Sequence, residues 1–191
     1  MVSTRHTRAD VVAAAGRLFA EKGYHGTSMR DLGSELGLLG SSLYAHVESK
    51  QDLLVDVVEE GAGLFEAAAE TALATEGSAA ERMRALVEGH IDVVLDNLDV
   101  SRTFLNEARM LDDGHRIKVV AARDHYEKAF RSVIREGVVD GSFKPSVDPK
   151  ISSIFILSIL NAIERWYQPE GVMNRTQLVD QLSAFALSAL G

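Results

Sequence analysis

Helix-start signals recur along this chain and constrain its fold more than any other feature. A Ser or Thr followed three residues later by Asp or Glu caps a helix reciprocally, because each side chain bonds a backbone N–H that lacks a helical partner. Such pairs occur at residues 7 and 10, 28 and 31, 49 and 52, and 78 and 81. Between them apolar residues recur every three or four positions, without strand-like alternation. The sequence therefore predicts an all-α protein.

Glycine and proline complete the predicted helix boundaries. Asp148 precedes Pro149, which suits the first position of a helix, and Asn174 can cap a last helix. Gly23, Gly37 and Gly137 are predicted helix stops. About nine helices result, near residues 7–22, 28–36, 40–46, 49–73, 78–98, 101–111, 115–136, 148–167 and 174–190.

Composition excludes several classes of protein. The chain has 191 residues, 46% hydrophobic and 25% charged, which is typical of a globular protein with a sizeable core. It lacks cysteine, and its apolar runs are too short for a membrane span. No signal-peptide core is visible, so we expect a cytoplasmic protein without a membrane partner.

The net charge of −8 is unevenly distributed. Residues 1–54 contain six Lys or Arg and six Asp or Glu, so the remainder carries all the net negative charge. A neutral N-terminal segment on an acidic body favours a protein that presents one end to a polyanion.

Residues 27–50 have the length of a helix-turn-helix. Gly37 begins a three-residue turn between two short predicted helices. Leu32 on the first helix and Leu43 on the second face inward by spacing. The outward positions of the second helix hold small or hydrogen-bonding groups, which suits close approach to base edges in the major groove. The same geometry also occurs in structural helix corners that bind no DNA.

The stretches TSMRDLGSELGL from Thr27, SLYAHV from Ser42 and SKQDLL from Ser49 resemble the DNA-binding domain of TetR-family regulators. This resemblance implies a homodimer on double-stranded operator DNA, with a DNA-binding domain at 1–50 and a ligand-binding and dimerisation domain at 51–191. The expected DNA-contacting residues are Thr27, Ser28, Arg30, Gly40, Ser41, Ser42, Tyr44, His46 and Lys50. Leu39, Gly40 and Val47 depart from the usual family pattern, so the operator sequence is not predicted.

The C-terminal region has apolar helix faces with aromatic and Met side chains, which favours either ordinary core or an effector cavity. The family resemblance favours a cavity between the helices of residues 50–136. Candidate ligand-binding residues are Met83, Leu86, Phe104, Glu107, Met110, Arg123, Tyr126, Phe130 and Trp166.

Two features address the effector class. Residues 102–135 hold eight Lys or Arg against five Asp or Glu, which suits an amphipathic anion such as an acyl-CoA, or simply a solvated helix surface with ion pairs. The short motif at Arg165-Trp166-Tyr167, with Glu107, is similar to the TetR-like repressors of actinobacteria that sense acyl-CoA intermediates. A multidrug sensor for lipophilic cations is the rival interpretation, with Glu107 as the carboxylate.

The last two long predicted helices are apolar on more than one side, which indicates contact with a second subunit or full burial in a monomer. The candidate dimer-interface residues are Ile151, Phe155, Leu178, Leu182 and Phe185.

Catalytic and metal-binding signatures are absent from the sequence, so it predicts neither enzyme, cofactor nor metal site. The favoured interpretation is a ligand-responsive repressor released from an inverted-repeat operator by a small molecule. A helical interaction module that binds no DNA is the alternative from another class.

Overall fold

A computed structural model describes residues 6–38 and 40–191, with the backbone alone at residues 40 and 41. The helices are α1 (Arg8–Gly26), α2 (Met29–Leu36), α3 (Gly40–Leu43), α4 (Lys50–Leu73), α5 (Ala79–Asp96), α6 (Leu98–Arg102), α7 (Asp113–Asp140), α8 (Pro149–Asn161), α9 (Ile163–Trp166) and α10 (Arg175–Leu190). A π-helical turn (Thr103–Glu107) and a 3-10 turn (Ala108–Met110) follow α6. Strands are absent from these described residues, so the all-α prediction is confirmed.

The predicted helix starts are confirmed at the level of side chains. Thr7 and Ser28 form reciprocal caps with Asp10 and Asp31. Ser78 and Glu81 do the same before α5, and Asn174 caps α10 together with Gln177. Asp148 accepts hydrogen bonds from the first turn of α8, where Pro149 needs no partner for a backbone N–H. These boundaries are therefore set by local sequence.

The chain divides into two compact units. The first comprises the N-terminal residues through Gly63 together with Asn97–Val120, and the second comprises Leu64–Asp96 and Ala121–Gly191. The predicted boundary at residue 50 falls at the first residue of α4, whereas the unit that contains the helix-turn-helix also includes the segment after α5.

The structure differs from the prediction of one helix at residues 101–111. The segment is instead a short α-helix followed by π and 3-10 turns. In the first unit, Thr103 Oγ1 donates to the Gly16 carbonyl at 3.3 Å. A Cβ on Gly61 would lie only 2.8 Å from Phe104 Cβ, so α4 approaches this segment closely because residue 61 lacks a side chain. Hydrophobic periodicity does not report such constraints.

Two other predicted boundaries were wrong. α7 continues past Gly137 to Asp140. The glycine at 137 does not end the helix; it leaves room for the Phe143 ring, which a Cβ at this position would meet. The predicted helix at 148–167 is interrupted at Ala162, between α8 and α9.

Each unit has its own apolar core. In the first unit, Val11, Phe19, Leu32 and Leu43 are almost fully buried. In the second unit, the fully buried side chains include those of Met83, Leu86, Ile91, Phe130, Ile134 and Leu160. Within the residues described, no helix combines the length and the apolar character needed to cross a membrane.

Candidate DNA-binding and effector sites

A tight turn joins α2 to α3 in the first unit. Gly37 adopts φ 64°, a left-handed conformation that glycine accepts without strain, and its N–H bonds the last turn of α2. The Leu38 N–H then donates to the Gly33 carbonyl at 2.8 Å. A Cβ on Gly33 would lie 3.0 Å from the Leu38 carbonyl oxygen, so this close turn favours a glycine there as well.

Burial separates the inner and outer faces of this module. Leu32 and Leu43 are buried, as predicted from their spacing, and Val47 is buried as well. Ser42 is exposed, and Tyr44 has 56% of its surface exposed. A large aromatic side chain kept in solvent beside a short helix can contact a ligand or a phosphate without rearrangement of the core. The arrangement is therefore that of a recognition helix whose inner face is packed in the core and whose outer face is open to solvent.

A buried aromatic cluster lies in the second unit, formed by Phe65 from α4, His90 from α5, and Tyr126 and Phe130 from α7. The ring centroids of Phe65 and His90 are 5.0 Å apart, and those of Tyr126 and Phe130 are 5.5 Å apart. The Tyr126 hydroxyl is 3.1 Å from His90 Nδ1. Burial lowers the pKa of His90 to about 3, so its imidazole is neutral at physiological pH.

Another face of the second unit is apolar and exposed. Phe155 on α8 and Phe185 on α10 have 64% and 56% of their surfaces exposed, and Ile151 and Ile154 are also exposed. On the opposite side of α10, Leu178 is buried in the core of its own unit. Soluble monomers rarely leave several large apolar side chains of neighbouring helices in water, so this face is suited to a protein partner.

Comparison with known proteins gives the family. Residues 11–57 match the family described as "Bacterial regulatory proteins, tetR family", and residues 76–190 match "Tetracyclin repressor-like, C-terminal domain". The chain belongs to the TetR family. The helix-turn-helix lies within the first match, and the aromatic cluster, apart from Phe65, lies within the second.

Individual TetR-family relatives span most of the chain. The "HTH-type transcriptional repressor KstR2" of Mycolicibacterium smegmatis is 27% identical over 184 residues, which cover 96% of this chain and 90% of that protein. The crystal structure of the TetR-family regulator PfmR from Thermus thermophilus superposes with a TM-score of 0.85 at 32% identity, covering 93% of this chain and 97% of that one. The structure of AibR in complex with isovaleryl coenzyme A and operator DNA has the same fold, with a TM-score of 0.86 at 24% identity over 93% of this chain and 96% of that one.

The expected DNA-contacting residues of this TetR-family chain are placed unequally. Tyr44, Ser42 and Arg30 are exposed, and His46 is partly exposed. The Ser28 hydroxyl is bonded within the α2 cap. The side chain of Ser41 lies outside the described residues, as does the whole of Leu39, and Gly40 is described by its backbone alone.

Thr27 departs from the predicted phosphate contact. It is 2% exposed, and its Oγ1 donates to the carbonyls of Leu18 at 3.1 Å and Gly23 at 3.0 Å. The side chain thus fixes the end of α1 rather than facing solvent. The TetR motif predicted a DNA contact at Thr27, but a motif alone does not show whether a side chain is on the surface or forms buried hydrogen bonds.

Lys50 also has a structural role. Its Nζ donates to the carbonyls of Tyr24 and Thr27, both at 2.8 Å, and lies 4.1 Å from the centroid of the Tyr24 ring. Both carbonyls follow Gly23, which is non-helical and kinks α1 before its last turn, and the ammonium bonds them directly. We call this arrangement of Lys50, Tyr24 and Thr27 the lysine clamp. It joins α1 to the start of α4.

One predicted effector contact, Glu107, touches the lysine clamp directly, and a second, Met110, is linked to it through Gln51. Glu107 Oε2 accepts a hydrogen bond from the Tyr24 N–H at 3.1 Å. The Tyr24 hydroxyl donates to Gln51 Oε1 at 2.8 Å, and Gln51 Nε2 approaches the Met110 carbonyl at 3.5 Å. The turns after α6 are thus bonded to the DNA-binding module. The role of Glu107 as a carboxylate for a cationic ligand stays a prediction, with one of its oxygens already bonded to the Tyr24 N–H.

The other predicted effector residues are distributed between core and surface. Phe104, Met83, Leu86 and Phe130 are buried in the cores of their respective units. Arg123 is exposed as a residue, although partial desolvation of its guanidinium lowers its pKa. Trp166 is half exposed at the end of α9, and its ring lies 6.3 Å from that of Tyr167.

Sequence reasoning missed several residues that organise these sites. Arg8 donates to the His46 carbonyl at 3.0 Å and to Asp56 at 2.7 Å, which fixes the end of the recognition segment. His90 has no role among the sequence-based predictions. Its spacing of four and three residues from Leu86 and Val87 places it on the buried face of α5, and this spacing was the available signal. Its aromatic partners come from distant parts of the sequence.

Proposed function

We propose that this TetR-family protein is a ligand-responsive transcriptional repressor that binds an inverted-repeat operator as a homodimer. The observation that carries the proposal is the helix-turn-helix, whose buried face is fixed by Leu32, Leu43 and Val47 while Ser42 and Tyr44 remain in solvent. The KstR2 relatives, described as transcriptional repressors, support the direction of regulation.

Base recognition is assigned to the α3 segment, and phosphate recognition to residues around it. Ser42 and the neighbouring small residues allow the helix backbone to approach base edges. Tyr44 and Arg30 are exposed and suited to contact phosphates, which position the protein without specifying sequence. We expect Tyr44→Phe to weaken operator binding by about 3- to 10-fold through loss of one hydrogen bond. Tyr44→Ala removes the ring as well and weakens binding further.

Fluorescence anisotropy with a labelled operator measures both variants. The matched control is Tyr167→Phe, which removes a hydroxyl from a partly buried tyrosine of the second unit. Equal affinity of the wild type, Tyr44→Phe and Tyr44→Ala contradicts the assignment of this surface to DNA.

A homodimer is supported by the exposed apolar face of α8 and α10. Phe155, Ile151 and Phe185 supply aromatic and aliphatic side chains of the kind that form interface cores. Leu178 belongs to the core of its own subunit, and Leu182 is partly buried, so we place the interface on the exposed residues. Isologous pairing of this face presents two recognition helices to an inverted repeat.

The effector is proposed to be an amphipathic anion of the acyl-CoA class. Residues 102–135 carry a net positive charge within an acidic chain, and the fold is shared with AibR, whose structure contains isovaleryl coenzyme A and operator DNA. The rival lipophilic cation has less support, because the Glu107 carboxylate is hydrogen-bonded to the Tyr24 N–H.

Addition of acyl-CoA thioesters of increasing chain length to the protein–operator complex tests the effector class, with free coenzyme A as the control for the nucleotide alone. We expect release by at least one thioester and no release by coenzyme A. Release by lipophilic cations such as tetraphenylphosphonium, without response to any thioester, contradicts the proposed class. A ligand can release DNA only through different affinities for the bound and free forms of the protein.

A further inference from the structure

Arg8 is the first residue of α1, where a guanidinium gains nothing from local structure. A cation at the N-terminal end of a helix is opposed by the helix dipole. The Asp10 carboxylate in the same turn is already bonded to Thr7. The side chain of Arg8 instead bonds residues that lie 38 and 48 positions away along the chain. Its role is therefore tertiary.

The guanidinium of Arg8 bonds two different elements of the first unit. Its Nη1 donates to the His46 carbonyl at 3.0 Å, and its Nη2 donates to the Asp56 carboxylate of α4 at 2.7 Å. A planar fork of donors holds two acceptors in one arrangement, whereas a lysine ammonium is a point charge on a flexible chain. Arg8 thus bonds the start of α1 to α4 and to the segment that follows α3.

The His46 carbonyl lies near the end of the recognition segment, by which we mean residues 40–47. Its helix, α3, has only four residues, too few to fix their own orientation through helical hydrogen bonds. The turn that follows returns the N–H groups of His46 and Val47 to the Leu43 carbonyl. Leu43 and Val47 are held by apolar burial, which is non-directional. The directional bond from Arg8 therefore limits rotation of the segment about its apolar contacts.

The surroundings of Arg8 are unsuited to a DNA phosphate. The cleft between α1 and α4 is lined by Asp10, Asp56 and Glu60 beside this guanidinium. Three carboxylates against one cation repel a phosphodiester, and Arg8 is already paired with Asp56. The position of Arg8 thus favours a bond within the protein over neutralisation of the DNA backbone.

We propose that Arg8 is a positioning residue for operator recognition: its guanidinium orients the recognition segment through the His46 carbonyl and Asp56, without touching DNA. The inference rests on the proposed function, since it concerns how the proposed DNA-binding surface is held. A phosphate contact adds affinity for any duplex, whereas a correctly oriented helix adds affinity only for the right bases. Loss of Arg8 should therefore reduce sequence preference rather than general binding to DNA.

Fluorescence anisotropy with two labelled duplexes measures this preference in the full-length protein. One duplex is the inverted repeat that the wild type selects from a randomised library, and the other has the same bases in scrambled order. We expect Arg8→Gln to weaken binding to the repeat about 10-fold, from about 3-fold for one net hydrogen bond in each subunit of a dimer. Binding to the scrambled duplex should change by less than about 2-fold, and the slope of log K against log salt should stay that of the wild type.

Asp56→Ala separates geometry from charge, because the two predict opposite results. Removal of a carboxylate close to a DNA-binding surface strengthens binding to any duplex if charge alone matters. The positioning role predicts weaker binding to the repeat, because Arg8 loses the partner that holds it. Arg8→Lys keeps the charge without the fork of donors, so it should show the same loss of preference as Arg8→Gln.

The matched control is Arg17→Gln, which removes the same charge from another exposed arginine of α1. Arg17 pairs with Glu35 at 3.3 Å and has no recorded bond to the recognition segment. Its substitution should leave the preference for the repeat unchanged. More than half of the Arg8 side chain is exposed, so its ion pair contributes little to the free energy of unfolding and the variants should fold. Circular dichroism verifies their helicity.

Wild-type preference in Arg8→Gln overturns the inference, and so does an equal loss in Arg17→Gln, which assigns the effect to charge. A slope lowered by about 1.8 for the dimer in Arg8→Gln, with wild-type affinity in Arg8→Lys, also overturns it, because Arg8 is then a phosphate contact. In each of these cases selection of an inverted repeat by the wild type still supports the proposed regulator. A wild type that selects no sequence refutes the proposed function, and the inference with it.

Discussion

Substitution of Lys50 by Met distinguishes a structural from a DNA-contacting lysine. The change removes two charge-assisted hydrogen bonds to the Tyr24 and Thr27 carbonyls, both of 2.8 Å, and a cation–π contact at 4.1 Å. Hydrogen bonds to charged groups contribute about 1.5–3 kcal/mol each when buried, and an exposed cation–π contact about 0.5–1 kcal/mol. Lys50 is only partly buried, so solvent replaces some of this interaction.

We therefore expect the lysine clamp to contribute about 3 kcal/mol to the free energy of unfolding. For a chain of this size, each kcal/mol corresponds to roughly 2–4 °C in Tm, so Lys50→Met should lower Tm by about 6–12 °C at fixed protein concentration. Differential scanning calorimetry measures the change. Lys22→Met is the matched control, because Lys22 is an exposed lysine of α1 and its loss should leave Tm within about 2 °C.

The salt dependence of operator binding provides a second, independent test. A lysine that neutralises a phosphate contributes about 0.9 to the slope of log K against log salt for each contact. Lys50→Met should lower the affinity through loss of order in the DNA-binding module and leave this slope unchanged. A Tm within about 2 °C of the wild type, together with a slope reduced by about 1.8 for the dimer, refutes the structural role and restores the phosphate contact.

Four further predictions follow from the same contacts. Phe155→Glu should convert the dimer to a monomer in sedimentation equilibrium, whereas Val139→Glu, at a position 82% exposed, should not; two unchanged dimers would contradict the proposed interface. Thr27→Val should lower the free energy of unfolding by about 1–3 kcal/mol in urea titrations through its unpaired buried partners, with the salt slope of DNA binding unaffected; an unchanged stability with a smaller slope would point to a phosphate contact. Glu107→Gln keeps an acceptor for the Tyr24 N–H and should retain operator binding better than Glu107→Ala in anisotropy titrations, whereas equal loss in both variants would show that the charge itself is needed. Hydrogen bonds from Ser28 hold the pKa of Asp31 below its usual value of 3.8, so the contribution of the Asp31 cap to helicity should be present above pH 3.8 and be lost as the pH falls through the lower pKa of the folded state. Far-UV circular dichroism of Ser28→Ala should show a smaller loss of helicity in acid than the wild type, and an identical acid transition would argue against the cap.

Local sequence was sufficient for the helix starts and for the helix-turn-helix. Ser28 with Asp31 and Asn174 with Gln177 form the expected caps because all their partners lie within one turn. Leu32 and Leu43 are buried as the three- and four-residue spacing predicts. These interactions depend on neighbours in the chain, which a sequence displays directly.

Contacts between distant residues were not predictable in the same way. Lys50 has the charge and position of a phosphate ligand, and only the approach of the α1 terminus reveals its carbonyl partners. The sequence marks Glu107 as a candidate ligand carboxylate but gives no sign of its bond to the Tyr24 N–H, which lies 83 residues away. The contacts of His90 with Phe65 and Tyr126 were likewise not predictable, because these residues lie on other helices.

Selection of bound fragments from a randomised duplex-DNA library tests the central claim most directly. The protein is first sized by sedimentation equilibrium and then incubated with the library at low and moderate salt. The account predicts a dimer that enriches an inverted repeat, with half-sites about one helical turn or a small multiple of it apart, and with affinity that falls steeply as salt rises. A monomer, or a dimer that enriches no sequence at any salt concentration, contradicts it and makes the α2–α3 segment a structural corner.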